Sequence, residues 1–207
     1  MRVQSTHMNV PINRRRFAFL SSGLLIGAAA SGRTAEQQPP IPPATGPVEA
    51  PLVRDYEPPQ FKPRWAKQQM NRQMAQDFVI YAHSELDLVK KMLDNEPGLL
   101  NAHIDWGGGD WESALGGASH MGRRDIVECL LERGARPDLF CAVMLGELNT
   151  VKAFLKLQPK LIDAKGPHGF TLHFHAQVGG DASKPVLDYL QSIRKLELRP
   201  VPFLKKP

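Results

Sequence analysis

The chain has 207 residues, a formal net charge of +5 and two cysteines. Four arginines and no acidic residue fall within residues 1–30, so the remainder carries about +1 and the basic balance argues for neither a nucleic acid nor an acidic membrane as partner. Two cysteines without a C-x-x-C spacing exclude a disulfide-dense scaffold, a dithiol redox motif and a zinc knuckle.

In chain order, Asn13-Arg14-Arg15-Arg16-Phe17-Ala18-Phe19 opens an uncharged stretch over 17–30. That stretch is shorter than the roughly 20 residues a membrane span needs. Ala28-Ala29-Ala30 offers small residues of the kind a signal peptidase cleaves after. Residues 1–30 resemble a twin-arginine export signal, with Arg14, Arg15 and Phe17 as its recognition residues. The expected destination is the periplasm or the medium, with membrane anchoring only if the signal stays uncleaved, and no membrane span in the mature chain.

Residues 31–64 are rich in proline, at Pro39-Pro40, Pro42-Pro43, Pro47, Pro51, Pro58-Pro59 and Pro63. Proline disfavours helix, and the apolar content is too low for a core, so a disordered linker is expected. Residues 65–79 read as a helical lead-in to the folded domain.

Residues 113–138 read as two short helices with a turn at Gly122. Leu115 and Ala118 mark the inner side of the first; Ile126, Val127, Leu130 and Leu131 mark the second, at spacings of three and four. Ser113 and Asp125 are the expected caps, and Gly122 and Gly134 the expected helix ends. The pattern recurs. Asp87-Leu88-Val89 with Met92-Leu93, and Asn149-Thr150-Val151 with Phe154-Leu155, align on Val127, with Asp87 and Asn149 as expected caps in the place of Asp125. Two copies share an ending, Pro97-Gly98-Leu99-Leu100-Asn101-Ala102 and Pro159-Lys160-Leu161-Ile162-Asp163-Ala164. A fourth, degraded unit spans 171–192, with Val186, Tyr189 and Leu190 apolar.

This unit resembles an ankyrin repeat, whose T-P-L-H-x-A signature stands here as Ser113-Ala114-Leu115-Gly116-Gly117-Ala118. The aligned valines lie 38 and 24 residues apart, against about 33 in the family. The long interval implies an enlarged finger over 103–112. The short one implies a helix at Leu139–Leu145 with no hairpin before it. The resemblance therefore implies an all-α fold: a short, irregular solenoid of about four helix-turn-helix units over 65–193, with one or two β-hairpin fingers. The expected core is Val89, Met92, Leu93, Leu115, Ala118, Ile126, Val127, Leu130, Leu131, Ala142, Val151, Phe154 and Leu155. The tail, 194–207, is left open between packing along the last unit and staying loose.

Candidate chemistry is sparse. Cys129 and Cys141 are expected as reduced, semi-buried thiols, a disulfide between them being the alternative. His168, His173 and His175 form the densest histidine group, with Asp181 nearby, but lack a ligand spacing such as H-E-x-x-H, so no metal or other cofactor is expected. Gly107-Gly108-Gly109-Asp110 has no Gly-Lys-Ser/Thr after it, and reads as a finger tip rather than a phosphate cradle.

What remains is a surface. The resemblance implies partner binding on the finger and the first helices, at His103, Trp106, Asp110 and Trp111, then Gly117, His120 and Met121, then Cys141 and Met144, then His175. Trp106 is the expected exposed anchor, and Trp111 the one nearer the helix. The expected function is thus a monomeric, non-catalytic module binding an unidentified protein in the periplasm. The alternatives are an envelope-tethered spacer without a specific ligand, and a small metal-dependent enzyme using His168, His173 and His175.

Overall fold

The computed structural model describes residues 49–201 and Phe203. The expected export signal, with Arg14, Arg15 and Phe17, lies outside them, as do the start of the proline-rich linker and the last tail residues. Residues 49–69 are exposed and form neither helix nor strand. The helix expected from residue 65 begins instead at Arg72. Asn71 is the reason: its side chain accepts hydrogen bonds from the backbone N–H groups of Gln73 and Met74, satisfying two donors that a helix start leaves free.

The described residues form eight α-helices: α1 (Arg72–Tyr81), α2 (Leu86–Asn95), α3 (Ala114–His120), α4 (Arg124–Glu132), α5 (Leu139–Leu145), α6 (Leu148–Leu157), α7 (Leu172–Val178) and α8 (Lys184–Ile193). The only sheet among the described residues pairs β1 (His103–Asp105) with β2 (Trp111–Ser113). The described chain is therefore all-α with one small hairpin. Consecutive helices pack in pairs, and the first helices of the pairs stack in the order α1, α3, α5, α7. Their mutual packing buries α3 completely. One apolar cluster fills the first two pairs and a second fills the last two. The expected core residues lie in them, with Met92, Leu131 and Phe154 only partly buried at the edges.

The cap positions at the second helices lie two residues before the expected ones, Asp87, Asp125 and Asn149. α2, α4 and α6 start at Leu86, Arg124 and Leu148, after Glu85, Arg123 and Glu147, none of which caps with its side chain. Asp87, Asp125 and Asn149 sit in the first turns instead. There the two carboxylates act through the positive end of the helix dipole. Ser113 caps α3 as expected, accepting from the Gly116 N–H. Gly122 and Gly146 carry positive φ at the turns. A side chain on Gly146 would strike the Ala182 carbonyl. The shared endings both form 3-10 turns, at Pro97–Asn101 and Pro159–Asp163. The finger closes in the register His103↔Ser113, Ile104↔Glu112 and Asp105↔Trp111, and a single bridge, Lys165↔Thr171, marks a reduced second one. The described tail runs along the last pair: Arg194 O accepts from His173 Nε2, Arg199 O accepts from Gln177, and Val201 joins the core.

Candidate metal centre

Side chains alternate across a strand, so Trp111 and Glu112 must face opposite ways. Trp111 points outward and is 61% exposed, whereas Glu112 points beneath the finger and is fully buried. A buried carboxylate needs partners. Here three histidines from distant segments supply them: His83 just beyond the end of α1, His120 at the end of α3, and His168 in the loop before α7. One ligand atom from each of the four residues lies within 4.8 Å of every other. His120 Nδ1 is 3.0 Å from Glu112 Oε1, while His83 Nε2 and His168 Nε2 are 3.4 and 3.6 Å from Oε2.

The outer nitrogens fix which lone pairs face inward. His83 Nδ1 is 2.9 Å from the Val79 carbonyl, which can only accept, so Nδ1 carries the proton and Nε2 is left as a donor to a metal. His168 Nδ1 is 3.0 Å from Asp110 Oδ2, giving the carboxylate–histidine pairing that orients metal ligands. His120 Nδ1 and Glu112 Oε1, although 3.0 Å apart, are both buried without a hydrogen-bond partner. The two atoms thus meet inside the fold without the geometry of a hydrogen bond, each beside the other's polar group. Trp106 Nε1 donates to Glu112 Oε2 at 2.7 Å.

Local backbone supports the arrangement. An added Cβ at Gly117 would come within 2.7 Å of the His83 ring, so the second glycine of Gly116-Gly117 makes the room that His83 occupies. His168 has φ 57°, and among the described residues no other non-glycine residue has positive φ. That conformation is uncommon and concentrates at functional sites. Asp110 holds it by accepting the His168 backbone N–H. Burial opposes ionisation of Glu112, but the imidazoles of His120 and His83 outweigh it and hold its pKa at about 2. Burial also opposes charge on His83, yet the Glu112 carboxylate and the backbone around Val79 raise its pKa overall.

Three imidazoles and one carboxylate are a donor set for divalent transition metals, and the imidazoles disfavour calcium and magnesium. A tetrahedral zinc with bonds near 2.0–2.1 Å needs ligand atoms about 3.4 Å apart; the three histidines lie at 3.0–3.6 Å from one or other oxygen of Glu112, and the four ligand atoms lie within 4.8 Å of one another.

The residues expected at the site separate. His168 joins the cluster, but His173 and His175 do not. His173 Nε2 bonds to Arg194 O, and His175 Nδ1 to Thr171 O. Asp181 is exposed and outside the group. Gly117, His120, Cys141, Met144 and His175, expected to face outward, are buried because the first helices pack side by side; Met121 is half-buried. Cys129 and Cys141 are buried and free, and burial pushes the Cys141 thiol up to about 11. The tryptophans exchange roles: Trp106 touches the cluster, and Trp111 is the freer ring. A groove of about 270 Å³ beside the finger is lined by His103, Asp110, Trp111, Phe140 and Lys165. His83 and Glu112 were missed in the sequence. Glu112 carried a signal, a carboxylate on the inward side of a strand leading into a buried helix.

No protein-family model matches the chain, and no curated protein matches its sequence significantly.

Proposed function

We propose that this chain is a metal-binding module on a short ankyrin-type solenoid, in which His83, Glu112, His120 and His168 hold one divalent transition-metal ion, with zinc as the reference ion. The observation that carries the reading is that one ligand atom from each of the four residues lies within 4.8 Å of every other, with Glu112 Oε1 and His120 Nδ1 buried and without a hydrogen-bond partner. Four protein ligands complete a tetrahedral zinc site, which suits an ion that holds structure more than one that reacts. The ion would tie α1, the finger, α3 and the loop before α7, segments 85 residues apart at the extremes. Elemental analysis of the untagged chain tests this: about one zinc per chain is expected, and none in Glu112→Ala or in His168→Ala, whose side chain is one-third exposed and dispensable for the core.

The ankyrin-type assignment rests on the stacked helix pairs, the glycine turns and the two matching 3-10 endings. A second reading, partner-protein binding, is favoured by Trp111, 61% exposed beside the groove. The module is proposed to be exported, on the strength of Arg14, Arg15 and Phe17 ahead of an uncharged stretch. Replacing both Arg14 and Arg15 by lysine should abolish export of a reporter fused to residues 1–35; unchanged export would overturn that part.

A further inference from the structure

The metal centre has a buried side and a covered side. Glu112 and His120 are enclosed, with Phe170 against the His120 ring at 5.2 Å between centroids. His83 and His168 are partly exposed, at 21% and 33% of their side chains. Trp106 lies across the gap between them, its ring centroid 6.1 Å from that of His83 and 5.5 Å from that of His168. Its indole N–H reaches past both to Glu112 Oε2. The outer part of Trp106 is in solvent, the residue being 41% exposed. Immediately after it come Gly107, Gly108 and Gly109, all at positive φ, with nothing within 4 Å of the position a side chain would take. Asp105 Oδ1 accepts the N–H groups of Gly107 and Gly109 and keeps the tip closed on itself. The glycines leave open space beside the indole, and an outward swing of Trp106 costs its hydrogen bond to Glu112 and its ring contacts with His83 and His168.

Resting on the metal-binding reading, we propose that Trp106 is the gate of the site: the ion enters and leaves between His83 and His168 when the indole swings out, and the indole N–H, once returned, orients Glu112 on the ion. The indole thus has two separable effects. As a cover it slows exchange in both directions. As a donor to a ligand carboxylate it adds affinity and leaves entry unaffected. Partners of metal ligands commonly contribute about 10–100-fold in affinity. Trp106→Phe keeps a ring over the gap and removes the N–H; Trp106→Ala removes both.

The experiment is stopped-flow association of the full chain with zinc, read with a chromophoric chelator, alongside equilibrium dialysis against the same zinc buffers. Both variants should lose affinity by a similar factor, about tenfold. Trp106→Ala should also bind zinc about tenfold faster than the natural chain, whereas Trp106→Phe should associate at nearly the natural rate. Equal association rates for all three, with zinc bound by each, would overturn the gate and leave the metal site standing. No zinc retained by the natural chain in dialysis would overturn the metal site, and the gate with it.

Discussion

His120 and His175 are both buried histidines near the stacked first helices, and their surroundings give them different properties. His120 Nδ1 faces a carboxylate; His175 packs against Phe140, its Nδ1 bonded only to the Thr171 carbonyl of its own helix. Burial accordingly pushes the His175 pKa down to about 4. A folded-state pKa below the unfolded value means stability that is present above about 6.5 and is lost as pH falls through about 4. The shift corresponds to about 3 kcal/mol. His83 acts in the opposite sense: its raised pKa contributes stability at low pH that fades as pH rises. The two are separated by comparing the natural chain with His175→Leu in metal-free thermal melts from pH 7 to pH 4. The natural chain should lose stability relative to the variant over that interval; parallel curves would contradict the burial argument. Nothing in the sequence distinguishes these two histidines, because each follows a small or aromatic residue on an apolar helix face. Their environments are set by other segments: Glu112 of the finger for His120, and Phe140 of α5 for His175.

Among the elements, the helices were readable and the finger only in part. Periodic apolar residues and glycine turns place α3 to α8 within a residue or two, because those signals are local. The misplaced caps at Asp87, Asp125 and Asn149 show the limit: a carboxylate in the first turn and one at the cap look alike in sequence. The finger's inward carboxylate follows from strand alternation once β2 is located, yet its partners come from α1, α3 and the loop before α7. Gly117 marks this closure. The ankyrin signature that this stretch resembles leaves that place open, but here a Cβ would come within 2.7 Å of the His83 ring. Gly117→Ala should improve intrinsic helix propensity by up to about 1 kcal/mol while displacing His83. The expected outcome is a folded protein, by circular dichroism, whose zinc affinity falls as far as that of His83→Ala. Natural affinity in Gly117→Ala would mean that His83 is not a ligand.

At the scale of the whole molecule, each helix pair leans on its neighbours, and the proposed ion adds a tie of a different kind. It closes a loop from His83 to His168 across the stack, with the finger between them. Such a long-range closure is invisible to periodicity and spacing, which is why the sequence led to no expected metal and offered His168, His173 and His175 only as the densest histidine group. The most direct measurement is calorimetric titration of zinc into the untagged full chain near pH 7, beside His120→Ala, His168→Ala and His173→Ala. One zinc per chain is predicted for the natural protein and for His173→Ala, with the site lost in His120→Ala and His168→Ala. Zinc binding that survives in His120→Ala and His168→Ala but is lost in His173→Ala, or no binding by the natural chain, would contradict the account.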